Sequence, residues 1–333
     1  MITLKEIEKA RERLAGVAAR TPLIRYYAAP SNDSKRSGER EIYLKAENFQ
    51  PTGSFKLRGA YNKIASLTEA ERERGIVTHS SGNHAQGVAY AARAMGLRAV
   101  VVMPRNSSKM KQEAVAAMGA EVVIVGPSSR ERRQKSEELA AQHGYVQVPP
   151  FNDELVVAGQ GTIGLEILED LADVDLVLAP ISGGGLLAGI ASAIKLSGSR
   201  AKVVGVEPEL ANDAQQSFRT GHIVEIEAER ASSTIADGLR GQSVGEITFD
   251  LMQKYVDDVV TVGEDDIRRA MRTLICQAHI LAEPSGAVAF AACLLHGDKL
   301  PHARKIVAVV SGGNTEPQLL ARIIYPEGEA KEE

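Results

Sequence analysis

Only two cysteines, Cys276 and Cys293, occur in the 333 residues. Two thiols make neither a disulfide framework nor a cysteine-based zinc site, so a reducing cytoplasm is the expected compartment. No apolar stretch approaches the ~20 residues of a bilayer span; the longest runs, over 99–103 and 306–310, have the length of strands. Charge of one sign is missing too. Lys and Arg number 39 against 43 Asp and Glu, a net charge of −4, so no basic field draws in nucleic acid or an anionic membrane. The charged opening, residues 1–14, reads as an amphipathic helix and not as a signal peptide. His-Glu-x-x-His and Cys-x-x-Cys are absent, and the seven histidines show no zinc spacing. Both cysteines fall in apolar, helix-like stretches and read as inert core residues.

What is present is a regular alternation. Runs rich in Val and Ile lie at 76–79, 99–103, 121–125, 176–181, 202–206, 256–262 and 305–311. Helix-like stretches lie at 84–95, 107–118, 129–142, 186–196, 264–281 and 285–296. Strand and helix in turn predict parallel sheets covered on both faces. At roughly 150 residues per domain the length suggests two domains. The strands form two groups, which predicts a large lobe from residues 1–71 and 149–333 and a small mobile lobe from 72–148. A polar loop is expected over 31–40 and a frayed charged tail over 326–333.

Several segments could carry chemistry. In Pro51-Thr-Gly-Ser-Phe-Lys56, Thr52 or Ser54 can cap a helix beginning near Phe55, which puts Lys56 in its first turn. A helix N-terminus and apolar neighbours both disfavour the charged amine, as Schiff-base chemistry requires; locally, an ordinary surface lysine fits as well. Ser80-Ser-Gly-Asn-His84 lies between a strand and a helix, where hydroxyls and backbone N–H groups form a socket for an anion, or merely a capped turn. Ser182-Gly-Gly-Gly-Leu186 lets backbone wrap a phosphate at another helix start. Its next glycine, Gly189, comes one residue too late for the dinucleotide fingerprint. Ser311 offers a neutral hydroxyl at the end of the last strand. Glu207 and Asp213, with a backbone carbonyl between them, offer hard oxygen ligands or simply solvated acidic groups.

Together these segments closely resemble the fold-type II pyridoxal-phosphate enzymes of the threonine dehydratase and serine racemase group. The motifs run in unbroken order through Thr21-Pro-Leu23, Thr52-Gly-Ser-Phe-Lys56, Ser81-Gly-Asn-His-Ala-Gln-Gly87, Ala158-Gly-Gln-Gly-Thr-Ile163, Gly183-Gly-Gly-Leu186, Ala236-Asp-Gly238 and Ser311-Gly-Gly-Asn314. The resemblance implies an α/β fold of two lobes, each an open, mostly parallel sheet flanked by helices, as in the tryptophan synthase β chain. It implies pyridoxal 5'-phosphate as cofactor, with Lys56 as its covalent anchor. Ser182, Gly183, Gly184, Gly185 and Leu186 would hold the phosphate through backbone N–H groups, with Ser182 standing where the family usually has a fourth glycine. Asn83 would bond the pyridine hydroxyl, Phe55 pack on the ring and Ser311 face the ring nitrogen. Ser80, Ser81, Asn83 and His84 would grip the α-carboxylate, while Glu207, the carbonyl of Ala211 and Asp213 would bind Mg2+ or Ca2+.

The implied reaction is β-elimination of water from L-threonine or L-serine to a 2-oxo acid and ammonia. A hydroxyl such as Ser311 leaves the ring a weaker electron sink than an aspartate would, which favours prompt elimination over transamination. Phe151 offers an apolar wall suited to the threonine methyl. Ser81 and the Glu207/Asp213 pair resemble the racemase branch, where a serine opposite the lysine is the second proton carrier. Three alternatives therefore stay open: a serine racemase with side dehydratase activity, a hydroxyaspartate dehydratase using Arg130, and a non-catalytic cofactor-binding or amino-acid-sensing protein. The family implies a homodimer or dimer of dimers acting on a small amino acid, with no nucleic-acid or membrane partner. Only 19 residues follow Asn314, so no C-terminal regulatory domain for isoleucine feedback is expected.

Overall fold

The computed structural model describes residues 2–27, 40–80, 82–126 and 128–325. Ser81, nearly all of the expected loop over 31–40 and the tail over 326–333 lie outside them. Ten strands are present among the described residues: β1 (Leu23–Tyr26), β2 (Glu41–Ala46), β3 (Ile76–His79), β4 (Ala99–Pro104), β5 (Glu121–Val125), β6 (Val146–Gln147), β7 (Leu176–Pro180), β8 (Lys202–Pro208), β9 (Asp258–Val262) and β10 (Lys305–Val310). They build a six-stranded sheet ordered β1-β2-β10-β7-β8-β9 and a four-stranded sheet ordered β5-β4-β3-β6. Every pairing is parallel except β1 with β2.

The parallel strands of the large sheet read as continuous apolar runs because helices cover both faces. Val177, Ala179, Val307 and Val309 enter one core cluster with helices Leu4–Leu14, Glu154–Asp170 and Gly185–Leu196. Leu176, Leu178, Ala308 and Val310 enter a second cluster with helices Glu264–Cys276 and Pro284–Leu295. β5 departs from the pattern: as an edge strand it leaves Glu121 and Ile124 exposed. The helix expected over 264–281 stops at Cys276, and His279 follows at φ 58°, a left-handed conformation that ends regular helix. Cys276 is accordingly exposed, which corrects its reading as a core residue, whereas Cys293 is buried. β1 and β2 form without a long apolar run to announce them, because only one residue of β1 and three of β2 are buried.

The Ala158–Ile163 motif lies inside helix Glu154–Asp170, where its glycines allow backbone contact with two neighbours. A Cβ at Gly159 would lie 2.6 Å from the carbonyl oxygen of Arg58, and one at Gly161 would lie 3.1 Å from that of Gly189. The helix bearing Lys56 and the helix following the glycine loop are thus pressed onto one common helix. Among the described residues no helix is long and apolar enough to cross a membrane.

Candidate active site

Three neighbouring strands of the large sheet, β2, β10 and β7, deliver at their C-terminal ends the lysine segment, Ser311 and the glycine loop. Ligands of open parallel sheets sit at that edge. β2 leads through a turn to helix Lys56–Ala65. Its N-cap is Phe55, and no side chain caps it. The expected cap by Thr52 or Ser54 is therefore absent; both hydroxyl oxygens are buried and unpartnered among the described residues. The segment is held instead by the last strand's loop. Phe55 N–H donates to the Ser311 carbonyl at 3.1 Å, and Asn314 Nδ2 donates to the Thr52 carbonyl at 2.9 Å.

The Lys56 amine donates to the Pro150 carbonyl at 2.8 Å and lies 5.1 Å from the centre of the Phe55 ring. Its side chain is half-buried, and desolvation lowers the amine to about 8. The residue after Pro150 reaches the glycine loop. A Cβ at Gly183 would lie 2.4 Å from the Phe151 ring, and one at Gly184, at φ 91°, 2.8 Å from Thr248. Only backbone fits there. Thr248 Oγ1 donates to the Gly183 carbonyl at 2.7 Å, fixing the loop from its other side. Helix Gly185–Leu196 then starts without a side-chain cap, so its first N–H groups are left for an anion.

The second socket has the same construction. β3 ends at His79, and helix Asn83–Ala94 starts from Gly82 without a side-chain cap. Gly87 brings this helix against the lysine helix: a Cβ there would lie 3.1 Å from Lys56 backbone atoms. The Ser80 hydroxyl accepts from Gly82 N–H at 3.3 Å. His84 turns its ring away, with Nε2 3.0 Å from the Val148 carbonyl, and burial followed by the nearby Lys56 charge lowers it to about 3. It is a neutral imidazole, and what it offers the socket is backbone N–H. Asn83 Nδ2 donates to Glu283 Oε1, and Asn83 Oδ1 accepts from Asn314 Nδ2 at 2.9 Å. One amide hydrogen of Asn83 remains free. Burial, followed by the charge of Asp237, raises Glu283 to about 8. The Ser311 hydroxyl is buried, 3.5 Å from the Ser285 carbonyl.

Beyond this cluster, at the end of β8, Glu207 accepts backbone N–H from Ala214 at 3.1 Å and Gln215 at 2.8 Å. Both Asp213 carboxylate oxygens are buried without a hydrogen-bond partner among the described residues, and Ala211 beside them is buried. Burial raises Asp213 to about 7; burial and the Asp213 charge push Glu207 well above the carboxylate range. No group of three or more His, Cys, Asp or Glu side chains suited to a metal occurs among the described residues. Arg130, the cation suggested for a second substrate carboxylate, is exposed on helix Ser129–His143.

A desolvated lysine amine and an uncapped glycine cradle suit a cofactor carrying both a carbonyl and a phosphate, and a second uncapped helix start lies beside them. The residues fit pyridoxal phosphate: a cradle that a Cβ would fill could take the phosphate, and an amine lowered to about 8 could take the aldehyde. The chain belongs to the pyridoxal-phosphate dependent enzyme family, whose model matches residues 14–312. It is 45% identical over 324 residues to the L-threonine ammonia-lyase of Thermotoga maritima, covering 97% of this chain and 78% of that protein. Its fold matches a T.th. threonine deaminase with a TM-score of 0.86 at 41% identity, covering 95% of this chain and 99% of that one. Maize serine racemase matches with a TM-score of 0.89 at 35% identity, covering 97% of each.

Several supports were not legible in the sequence. Asn152 and Thr248 brace the segments around the glycine loop. Lys111 pairs with Asp237, joining a helix of the small-sheet segment to the loop around 237. The Ala236-Asp-Gly238 motif marked one end of that pair; nothing marked Lys111.

Proposed function

We propose that this chain is a pyridoxal-phosphate-dependent ammonia-lyase that converts L-threonine and L-serine to the 2-oxo acid and ammonia. The observation that carries the reading is the Lys56 amine, desolvated to about 8 and held between Pro150 and the Phe55 ring. Bound pyridoxal phosphate supplies the electron sink that acidifies the substrate's α-hydrogen. The first-turn N–H groups of helix Asn83–Ala94, with the Ser80 and Ser81 hydroxyls, hold the α-carboxylate. Lys56 Nζ, neutral at its lowered value, accepts the α-proton. Phe151 faces the side chain with an apolar ring; the β-hydroxyl leaves as water with one proton, matching the one Lys56 takes from the α-carbon, and a second water hydrolyses the released enamine to the 2-oxo acid and ammonia. Residues 182–186 hold the phosphate, Asn83 the phenolic oxygen and Ser311 the ring nitrogen.

A panel of L-threonine, L-serine, D-serine and both hydroxyaspartates tests this, with 2-oxo acid and enantiomer measured separately. L-Threonine and L-serine are expected to dominate 2-oxo acid formation. A holoenzyme that absorbs visible light yet releases no 2-oxo acid overturns the reading in favour of a non-catalytic binder. The exposed Arg130 leaves hydroxyaspartate without a candidate partner for its second carboxylate. Serine racemisation is the second reading, favoured by the buried Glu207/Asp213 pair and by the likeness to maize serine racemase. In it Ser81 carries the proton opposite Lys56, and Ser81→Ala is expected to remove racemisation while weakening elimination only by the loss of one contact to the α-carboxylate.

The paired buried carboxylates are the reason to propose a cation: burial favours their protonated forms, and a bound ion would let both take their charged forms. Glu207, the Ala211 carbonyl and Asp213 are the proposed ligands of Mg2+ or Ca2+. Chelation is expected to lower the melting temperature by several degrees, and readdition of the ion to restore it. Asp213→Asn is expected to abolish the response; a wild-type curve indifferent to chelator removes the site. The same reading makes the working unit a cytoplasmic homodimer or dimer of dimers. Residues 72–148 then close as a small lobe on residues 1–71 and 149–333, with Lys111–Asp237 as a bridging ion pair.

A further inference from the structure

We infer that Ser182 binds the cofactor phosphate through its side-chain hydroxyl as well as its backbone, and that Gly241 is the residue that holds this hydroxyl in place. The inference rests on the reading of residues 182–186 as the phosphate cradle.

Gly241 N–H donates to Ser182 Oγ at 3.1 Å. A hydroxyl that accepts one hydrogen bond still has its own proton to give. No acceptor takes that proton among the described residues, and the side chain is only half-buried. The segment around Gly241 also grips the loop one residue further on, where Thr248 Oγ1 donates to the Gly183 carbonyl at 2.7 Å. The Phe151 ring closes the opposite side of Gly183. Ser182 therefore sits at the mouth of a cradle fixed on both flanks, with its oxygen pinned by one contact and its proton unspent. An anion seated on the uncapped start of helix Gly185–Leu196 is the acceptor that completes the set.

The fit at Gly241 is specific. A Cβ there would lie 2.5 Å from Ser182 Oγ. Any side chain at 241 pushes the hydroxyl off its anchor, so the two positions act as a pair.

The test compares binding of pyridoxal phosphate, pyridoxal and inorganic phosphate to the apoprotein by equilibrium dialysis. Ser182→Ala is expected to weaken pyridoxal phosphate about 10- to 100-fold, the range of one hydrogen bond to a charged group. Inorganic phosphate should weaken in parallel, and pyridoxal, which lacks the phosphate, should bind unchanged. Gly241→Ala should cause a similar loss alone and little further loss in a Ser182→Gly background. Wild-type affinity for pyridoxal phosphate in Ser182→Ala overturns the inference, as does an equal loss for pyridoxal. If the alanine variant does not fold, Ser182→Gly provides the same comparison. Wild-type protein that takes up no pyridoxal phosphate at Lys56 would instead overturn the function proposed above.

Discussion

Lys56→Ala is expected to eliminate both the visible absorbance of the holoenzyme and all release of 2-oxo acid. Covalent capture of an aldehyde requires a neutral amine, and burial lowers the Lys56 amine from 10.5 to about 8. At pH 7 that raises the neutral fraction roughly 300-fold over an unperturbed lysine. The same amine is placed to accept the α-proton, so its removal takes away anchor and base together. Uptake of cofactor by the apoprotein should speed up as pH rises towards about 8 and level off above it. The stability sign follows from linkage. Between about 8 and 10.5 the unfolded chain binds the proton that the folded chain has released, so the apoprotein gains stability as pH rises through that window. Lys56→Ala should flatten this gain. Turnover retained in the variant would sink the assignment of Lys56.

The parts of the site that were legible in the sequence are those where local chemistry and local structure coincide. A glycine run after an apolar strand must expose backbone N–H groups at a helix start, and Gly183–Gly185 do so. Val-rich runs flanked by helices must form buried parallel strands, and β4, β7 and β10 do so. What could not be read depends on partners distant in the chain. Phe55 is no helix-capping residue; it serves as one because Ser311, over two hundred residues later, receives its N–H. Glu283 stands just before the Pro284 that opens a helix, a position ordinarily at the surface, yet it is buried and takes the Asn83 amide. Cys276 falls in an apolar pattern, but the helix ends beneath it.

Arg58→Ala is expected to cost about 3–5 kcal/mol, the loss seen when one partner of a buried ion pair is removed. Arg58 lies two residues beyond Lys56 and is 2% exposed. Its guanidinium grips both oxygens of Glu47 at 2.8 Å and both of Glu166 at 2.6 and 2.9 Å. Lys45, fully buried, donates to Glu166 at 2.6 Å and to the Thr21 carbonyl at 2.7 Å. Two cations and two anions balance. Burial alone would raise Glu47, but the charge and hydrogen bonds of Arg58 hold it below the carboxylate range. Its contribution to stability is therefore present above about pH 4.5 and is lost as pH falls through its lower folded value. A loss of this size is a large share of the roughly 5–15 kcal/mol that a folded protein commands. The melting temperature should fall on the order of 10 °C. Arg58→Lys should not rescue it, since a single ammonium cannot pair two carboxylates bidentately. Glu47→Gln with Arg58→Met leaves Lys45 and Glu166 balanced and should be less damaging than the two single losses added together. A melting curve unchanged by Arg58→Ala would refute the role given to the network. That role is to weld β2, the lysine helix and helix Glu154–Asp170 into one body, so that the Lys56 amine meets its cofactor at a fixed point.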